Sequence, residues 1–335
     1  MDLTERRIAS PPSPFWGGDD IPINVLLLLD QKDSHINSKM APKTILVTGA
    51  TGKQGGAVIE NILASSDTSL KIVAVTRDAT SRKAQRLAEN SNVSVIEGDL
   101  ANVDDIFDKA GSVWGVYSVQ INSDVEEQQG KAIVDAAVMH GAKHFVYSSG
   151  DRGGPELSPQ NPTYVKNFAA KHAVEKHLQQ RAEKSPQQMS YTILRPVTFF
   201  ENLTTDLHGK GFARMWEQLG RKRLQMVSTK DIGWFAAQSF LQPDKYRNAA
   251  LTLVGDELTQ PEANVIYKKV IGQPMAMAAC PIASAVKFVL KGSVGDMFKW
   301  FEDEGYGGNV QECRSANHNM QDFAAWLNEN KGTFV

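Results

Sequence analysis

The chain has 335 residues, of which 41% are hydrophobic and 22% charged, so it can bury a large core. Its formal net charge of −2, from 36 basic and 38 acidic residues, gives no electrostatic basis for direct binding to nucleic acid or to an anionic membrane. The two cysteines, Cys280 and Cys313, have no Cys or His at metal-ligand spacing, which predicts neither a disulfide framework nor a metal site and favours a reducing compartment, the cytoplasm or the nucleus.

Residues 1–39 predict a disordered N-terminal extension. They contain three prolines between residues 11 and 14 and a Gly-Gly-Asp-Asp run, with no sustained hydrophobic periodicity. The apolar run at residues 25–29 is shorter than the roughly 20 residues of a membrane span, and it lacks the flanks of a secretory signal. Met40 stands directly before the first predicted strand, at a position where translation could also begin.

From Lys43 onward, short Val- and Ile-rich runs alternate with helical stretches, which is the pattern of β-α-β units and a parallel sheet. This alternation predicts a Rossmann-type doubly wound α/β domain over residues 41–195, whose ligand crevice lies beyond the carboxyl ends of the strands. Beyond it the alternation weakens, which predicts a smaller mixed α/β domain over residues 196–335, with the chain re-entering the first sheet around 224–255. Strands are predicted at 44–48, 71–76, 93–97, 115–119, 144–148 and 190–194, and helices at 55–65, 81–89, 103–110, 126–140 and 167–184.

A glycine-rich turn follows the first predicted strand and leads directly into a helix. Glycines allow a tight turn and close approach to a pyrophosphate, while free N–H groups and the helix dipole hold its negative charge. The strand, turn and helix around this motif are the context that a dinucleotide-binding loop requires. The predicted phosphate cradle consists of Gly49, Ala50, Thr51, Gly52, Lys53, Gln54 and Gly55, with Gly56 following.

The second predicted strand ends at Val75-Thr76-Arg77, near the expected position of the adenosine ribose. NAD enzymes place Asp or Glu at this tip to bind the 2′-hydroxyl, whereas an Arg accommodates a 2′-phosphate. Arg77 can fork onto such a phosphate with two parallel hydrogen bonds. Asp78 would favour NAD instead, but it lies one residue beyond the tip. The sequence therefore predicts NADP(H) in preference to NAD(H).

From Lys43 almost to its C-terminus the chain resembles the NmrA-like family of atypical short-chain dehydrogenases/reductases, in particular its NADP-binding, redox-sensing members. The motifs that carry the resemblance are ILVTGATGKQGG, AVTRD, IEGDL, GVYSVQ, the EQQGK helix, HFVYSS, NFAAKHAVE, LRPVTFFENL and STKDIG. The resemblance implies a Rossmann domain with a smaller C-terminal domain and a complete NADP(H) cradle.

Further cradle residues are implied by the resemblance, position by position. These are Arg77, Asp78, Ala79, Thr80 and Ser81 at the 2′-phosphate, Asp99 and Leu100 at the adenine, Gln120, Ile121 and Asn122 after the fourth strand, Lys131, Lys171, and Phe199, Phe200, Glu201 and Asn202 by the nicotinamide. From pattern alone, Asp99 is as readily a turn residue and Lys131 a solvated helix charge. Phe199 and Phe200 could equally be core aromatics, which is the interpretation we favour for Phe200.

The acid of the wider superfamily is missing. Its usual Tyr-x-x-x-Lys motif pairs a phenol with a cation that lowers the phenol pKa. Here the five aligned residues run from Asn167 to Lys171, and an amide has no proton to transfer near neutral pH. Tyr164 lies about 10 Å from Lys171 along a helix, too far to couple with it directly.

Two candidate catalytic residues remain, Lys171 and Ser148. Ser148 and Ser149 both match the place of the superfamily's substrate-polarising Ser, and strand alternation lets only one of them face the cofactor. Lys171 matches the motif lysine as a donor to the nicotinamide ribose, although its helical spacing also suits a surface pair with Glu175.

Two functions fit this site. In the first, which the resemblance to regulatory members of the family implies, NADP(H) occupancy changes the shape or partner affinity of the C-terminal domain, and the partner is a transcription factor or another regulatory protein. In the second, the protein is an NADPH-dependent oxidoreductase whose substrate is a small quinone-like or conjugated carbonyl compound, because relatives with similarly altered motifs reduce such compounds. Hydride transfer itself needs only orientation and a proton source. Substrate-dependent turnover of the cofactor separates the two, and a plain interaction scaffold is a third possibility.

Overall fold

A seven-stranded parallel sheet forms the centre of the computed structural model, which describes residues 42–279 and 295–334 apart from residues 66 and 68. The strands lie in the order β3-β2-β1-β4-β5-β6-β9, so the direction of winding reverses between β1 and β4. This reversal is the topological switch point at which ligands bind in doubly wound sheets. The strands are β1 (Lys43–Val47), β2 (Leu70–Thr76), β3 (Val93–Glu97), β4 (Gly115–Ser118), β5 (His144–Ser148), β6 (Ser190–Pro196) and β9 (Ala249–Leu253).

A second, smaller sheet follows the sixth strand. It joins β7 (Thr198–Phe199), β8 (Leu224–Val227) and β10 (Asp256–Leu258), with β7 and β8 parallel and β8 and β10 antiparallel. The predicted fold class, a doubly wound parallel sheet with a smaller mixed α/β part, is confirmed. The predicted extension at 1–39 and Cys280 lie outside the described residues.

Helices cover both faces of the main sheet, and the predicted ones lie within two residues of their observed ends. α10 begins with a capping box between Thr259 and Glu262 and ends at Gly272 in the left-handed region. No helix in the described ranges is both long and apolar enough to cross a membrane. The helices are α1 (Lys53–Leu63), α2 (Arg82–Ala88), α3 (Val103–Ala110), α4 (Glu126–Met139), α5 (Gly154–Leu157), α6 (Lys166–Glu183), α7 (Leu207–Gln218), α8 (Thr229–Leu241), α9 (Pro243–Tyr246), α10 (Gln260–Ile271), α11 (Asp296–Asp303), α12 (Val310–Ala316) and α13 (Phe323–Glu329).

Strand alternation divides the core into two layers. Ile45 and Val47 of β1 point towards α1 and α8, whereas Leu46 points towards the layer that holds α3, α4 and α6. α1 and α8 approach very closely, because a Cβ added to Gly233 of α8 would lie 2.5 Å from the backbone of Ala57. A third cluster, rich in Phe and Trp, lies under the smaller sheet.

Residues beyond 195 contribute to both sheets. β9 pairs with β6 in the main sheet and α8 packs on α1, whereas β8 belongs to the smaller sheet. The boundary between a domain at 41–195 and one at 196–335 stays a prediction.

Candidate functional site

The glycine-rich turn leaves the N-terminus of α1 open at the switch point. Gly49 has a φ of +60°, and the turn closes when the Gly52 N–H donates to the Gly49 carbonyl at 2.9 Å. A Cβ added to Gly55 would lie 2.3 Å from that same carbonyl oxygen, so only glycine allows α1 to start this close to β1. Within the described structure the N–H groups of Lys53, Gln54 and Gly55 have no acceptor. Such an end attracts an anion.

Two ammonium groups lie beside this turn. Lys53 Nζ donates to the Glu201 carbonyl at 2.9 Å, and Lys83 Nζ donates to the Thr51 carbonyl at 3.3 Å. Lys83 is absent from the predicted cradle, and its only signal in the sequence is the basic run that follows the second strand. Both groups add positive charge at the place predicted for phosphate.

In the segment after β2, the basic and the acidic side chain differ in their contacts. The Asp78 carboxylate accepts from the Thr80 N–H at 2.8 Å and from the Thr80 hydroxyl at 2.6 Å, and these hydrogen bonds lower its pKa. Ser81 caps α2 by accepting from the Ala84 N–H. Arg77 is exposed and forms no ion pair with any described carboxylate. Its guanidinium is therefore available, whereas Asp78 is engaged in its own turn.

The predicted adenine residues follow β3. Asp99 is exposed and accepts from the Ala101 N–H at 2.8 Å, which is the geometry of a turn residue. Leu100 is half-buried against the α3 and α4 layer. The Ala79 N–H donates to the Glu97 carboxylate at 3.3 Å, so the loops after β2 and β3 meet.

The segment after β4 has one buried and two exposed members. Gln120 is buried and donates through Nε2 to Ser118 Oγ at 2.7 Å, whereas its Oε1 has no partner in the described structure. Ile121 is 66% exposed and Asn122 is also exposed. Two side chains that follow the switch-point strand thus lie at the surface.

Ser148 is the serine that faces the phosphate turn. Its hydroxyl donates to Gln54 Oε1 at 2.6 Å, and the hydroxyl of Tyr117 donates to the same oxygen at 3.2 Å. Burial raises the pKa of Tyr117, so that phenol stays protonated near neutral pH. Ser149 points to the opposite face and donates to Glu175. Ser148, and not Ser149, therefore lies on the side of the phosphate turn.

Lys171 has a different partner from the one its helical spacing suggested. Its ammonium lies 2.5 Å from Glu126 Oε1, across the interface of α4 and α6. Glu175 is engaged instead by buried Arg195 and Arg152, at 2.8 and 2.9 Å, so the surface pair with Lys171 is wrong. Burial raises the pKa of Glu126, and the charge of Lys171 partly opposes that rise. No sequence signal identified Glu126, because its partner is 45 residues away.

The remaining predicted residues are less closely grouped. Lys131 pairs with Glu127 at 2.5 Å on the exposed face of α4. Phe200 is fully buried in the aromatic cluster, as the core interpretation has it, whereas Phe199 and Asn202 are half-buried.

Glu201 connects three parts of the molecule. Its Oε1 accepts from the Thr229 N–H and hydroxyl, at 2.9 and 2.8 Å, and from Trp326 Nε1 at 3.3 Å. Its backbone carbonyl accepts from Lys53. The phosphate turn, α8 and α13 therefore meet at this one residue.

Tyr164 is bonded to α11 through its hydroxyl. It is half exposed and its hydroxyl donates to Asp303 at 3.0 Å. Partial burial and this hydrogen bond raise its pKa to about 12. Across the described ranges, no group of three or more His, Cys, Asp or Glu side chains is arranged to hold a metal ion.

Comparison with known sequences matches the NmrA-like family model over residues 41–327. The NmrA-like family domain-containing oxidoreductase lnaB of Aspergillus flavus is 36% identical over 118 residues, which span 32% of this chain and only 34% of that protein. An NmrA-like family domain-containing protein of Dictyostelium discoideum is 22% identical over 83% of this chain and 94% of its own length.

Solved structures share the fold at low identity. Citrobacter triphenylmethane reductase complexed with NADP(H) is 19% identical with a TM-score of 0.66, over 86% of this chain and 99% of that one. The Escherichia coli NADPH-dependent quinone oxidoreductase QOR2 is 20% identical with a TM-score of 0.67, over 85% and 99%. The negative transcriptional regulator NmrA in complex with NADP is 18% identical with a TM-score of 0.64, over 86% and 95%.

Proposed function

Because this chain belongs to the NmrA-like family, we propose that it binds NADP(H) and acts as a regulator that senses the redox state of this cofactor. The observation that carries the proposal is an anion-binding turn with no acid at the usual catalytic position. The open N-terminus of α1 lies beside Lys53 and Lys83, whereas Asn167 stands where the superfamily places its Tyr. The site is thus equipped to hold a dinucleotide and not equipped with the standard proton donor.

The preference for NADP(H) rests on the loop after β2. Arg77, which pairs with no described carboxylate, offers its guanidinium for a 2′-phosphate, while the Asp78 carboxylate that would bind a 2′-hydroxyl is engaged by Thr80. NmrA is also known in complex with NAD, so fold alone does not decide this preference.

Sensing requires a route from the cofactor to a partner surface. Lys53 of the phosphate turn is bonded to Glu201, which is bonded in turn to Thr229 of α8 and Trp326 of α13. A phosphate that draws Lys53 towards itself would change this junction. The partner, a transcription factor or other regulatory protein in the cytoplasm or nucleus, must bind one cofactor state better than the other, because equal affinity shifts no equilibrium.

A second candidate function is reduction of a quinone-like or conjugated carbonyl substrate. It is favoured by the relative named as an oxidoreductase and by the two reductases of like fold. Bound NADPH would supply the hydride. Ser148 next to the turn and Lys171 of α6, which pairs with Glu126 of α4, could orient such a substrate, and the proton would come from water.

The two functions are separated by binding and turnover measured on the same protein. We expect NADPH and NADP+ to bind stoichiometrically in calorimetry, with no oxidation of NADPH on addition of quinones, enones or simple ketones. Robust oxidation that Lys171→Ala abolishes would overturn the sensor and support the reductase. If neither NADPH nor NADP+ binds, both proposed functions are overturned.

Substitution of Arg77 tests the cofactor preference. Arg77→Ala should weaken NADPH binding about ten- to hundredfold, because a charge-assisted contact to the 2′-phosphate is lost. Affinity for NADH, which lacks that phosphate, should not change. Arg86→Ala, which removes another exposed arginine at the far end of α2, is the matched control. Equal NADPH affinity in the wild type and Arg77→Ala would refute the assignment.

A further inference from the structure

Three buried oxygen acceptors near Lys171 have no donor in the described structure. They are Gln120 Oε1, Glu126 Oε2 and Asn167 Oδ1. The Glu126 side chain is completely buried, and among the described residues only one of its two oxygens has a partner, the Lys171 ammonium. A buried carboxylate oxygen left without a donor is costly, so its retention calls for an explanation.

These acceptors lie where α4 and α6 meet the end of β4. A Cβ added to Gly130 would lie 2.6 Å from Val174 Cγ2 and 3.4 Å from Gln120 Oε1. Gly130 is one turn after Glu126 on α4, and Val174 is three residues after Lys171 on α6. The two helix faces that carry the ion pair therefore face one another beside Gln120.

Glu126 and Lys171 form the ion pair at this position. Asn167 lies one turn before Lys171 and is neutral. The buried Tyr147 hydroxyl has no partner among the described residues either, and burial raises its pKa and keeps it protonated. Glu175 faces two arginines, Arg152 and Arg195, so these three side chains together carry one net positive charge. Glu126 is thus the buried carboxylate that contacts Lys171 in the described structure.

We propose that Glu126 is the residue by which this site distinguishes the oxidised from the reduced nicotinamide cofactor. The inference rests on the proposed binding of NADP(H), in which Lys171 donates to the nicotinamide ribose. The oxidised ring carries a positive charge that the reduced ring lacks. A buried carboxylate beside the group that holds the ribose stabilises that charge more than an exposed one does, because water does not screen it. Glu126 raises the affinity for NADP+ relative to NADPH.

Removal of this charge while the shape of the side chain is kept is the direct test. Calorimetry on wild type and Glu126→Gln gives the dissociation constants of both cofactors. We expect the ratio of the NADP+ constant to the NADPH constant to rise about tenfold in Glu126→Gln. Glu127→Gln is the matched control, because Glu127 is its exposed neighbour on α4 and pairs with Lys131, and its ratio should equal that of the wild type.

A second pair of variants covers the case in which Glu126→Gln does not fold. Glu126→Asp and Glu126→Asn have the same size and differ in charge, so the ratio should be about tenfold higher in Glu126→Asn. The inference about Glu126 is overturned if wild type and Glu126→Gln, or Glu126→Asp and Glu126→Asn, bind both cofactors with the same ratio of dissociation constants. The proposed binding of NADP(H) would stand in that case. A wild type that binds neither cofactor would overturn the proposed function with it.

Discussion

Asp231 is an ionisable side chain buried at the start of α8. Its carboxylate accepts from the Ser228 hydroxyl at 2.7 Å, from the Gln321 N–H at 3.0 Å and from Asn317 Nδ2 at 3.2 Å. Burial outweighs these hydrogen bonds and raises its pKa to about 6. The residue ties α8 to the segment before α13 and is more readily protonated in the folded protein than in the unfolded chain.

The raised pKa of Asp231 predicts a pH-dependent contribution to stability. The folded state holds this proton more tightly, so the contribution is complete below about pH 4 and is lost as the pH rises through about 6. The loss amounts to about 2–3 kcal/mol of unfolding free energy by pH 7. Asp231→Asn should lack this component, as urea unfolding of both proteins from pH 4 to pH 7 would show.

Other titrating groups change both curves alike. His144, for example, is buried with its pKa lowered to about 4, and it is present in both proteins. The difference between the two unfolding curves therefore isolates Asp231. Curves that run parallel over the whole pH range would contradict the prediction.

At the scale of an element, α1 depends on one of two adjacent glycines. A Cβ on Gly55 would lie 2.3 Å from the Gly49 carbonyl oxygen and 2.8 Å from that of Thr48. A Cβ on Gly56 would meet the Ala50 carbonyl oxygen at 3.5 Å, an ordinary contact. Because the contacts at position 55 are with backbone atoms, which cannot move aside easily, Ala at this position would push α1 away from the turn.

Alanine substitutions at the two glycines should therefore have opposite effects. Gly56→Ala should raise the unfolding free energy by about 0.5–1 kcal/mol, since Ala is the better helix former. Gly55→Ala should lower stability and weaken NADPH binding. Thermal melts and NADPH titrations of both variants give the comparison. If Gly55→Ala and Gly56→Ala have the same melting temperature and the same NADPH affinity, α1 does not depend on the close backbone contact at Gly55.

At the scale of the whole molecule, the main core combines both halves of the chain. Leu194 of β6 is in register with Leu251 of β9, and Phe235 and Phe240 of α8 pack in the same cluster as Ile45 of β1. Cys313 lies in this cluster too and donates to the Thr252 carbonyl. The sheet that carries the phosphate turn is thus completed by residues beyond 195.

This shared core predicts a single unfolding transition. Far-UV circular dichroism and tryptophan fluorescence should give coincident melts, because Trp216 and Trp326 lie in the aromatic cluster while most strands lie in the main sheet. A chain that ends at residue 195 should not fold cooperatively, since it lacks β9 and α8. Two separated transitions, or a cooperative melt of the shortened chain, would show that the halves are independent.

Local features were predictable from the sequence. The first six strands of the main sheet follow from hydrophobic runs of four to seven residues, and the phosphate turn follows from glycines within a single loop. Arg77 could be identified because it follows the second strand directly, and the end of that strand can be located from the sequence. The NADP(H) preference and the roles of the cradle residues stay predictions.

Contacts between distant segments were decided only by the tertiary structure. Sequence left both Ser148 and Ser149 open, and the twist and register of β5 turn Ser148 to Gln54. Helical spacing suggested an ion pair between Glu175 and Lys171. Glu175 instead pairs with buried arginines, and Lys171 pairs with Glu126 of α4. Periodicity records which face of an element is buried, whereas the partner of a buried charge depends on how helices from distant parts of the chain pack together.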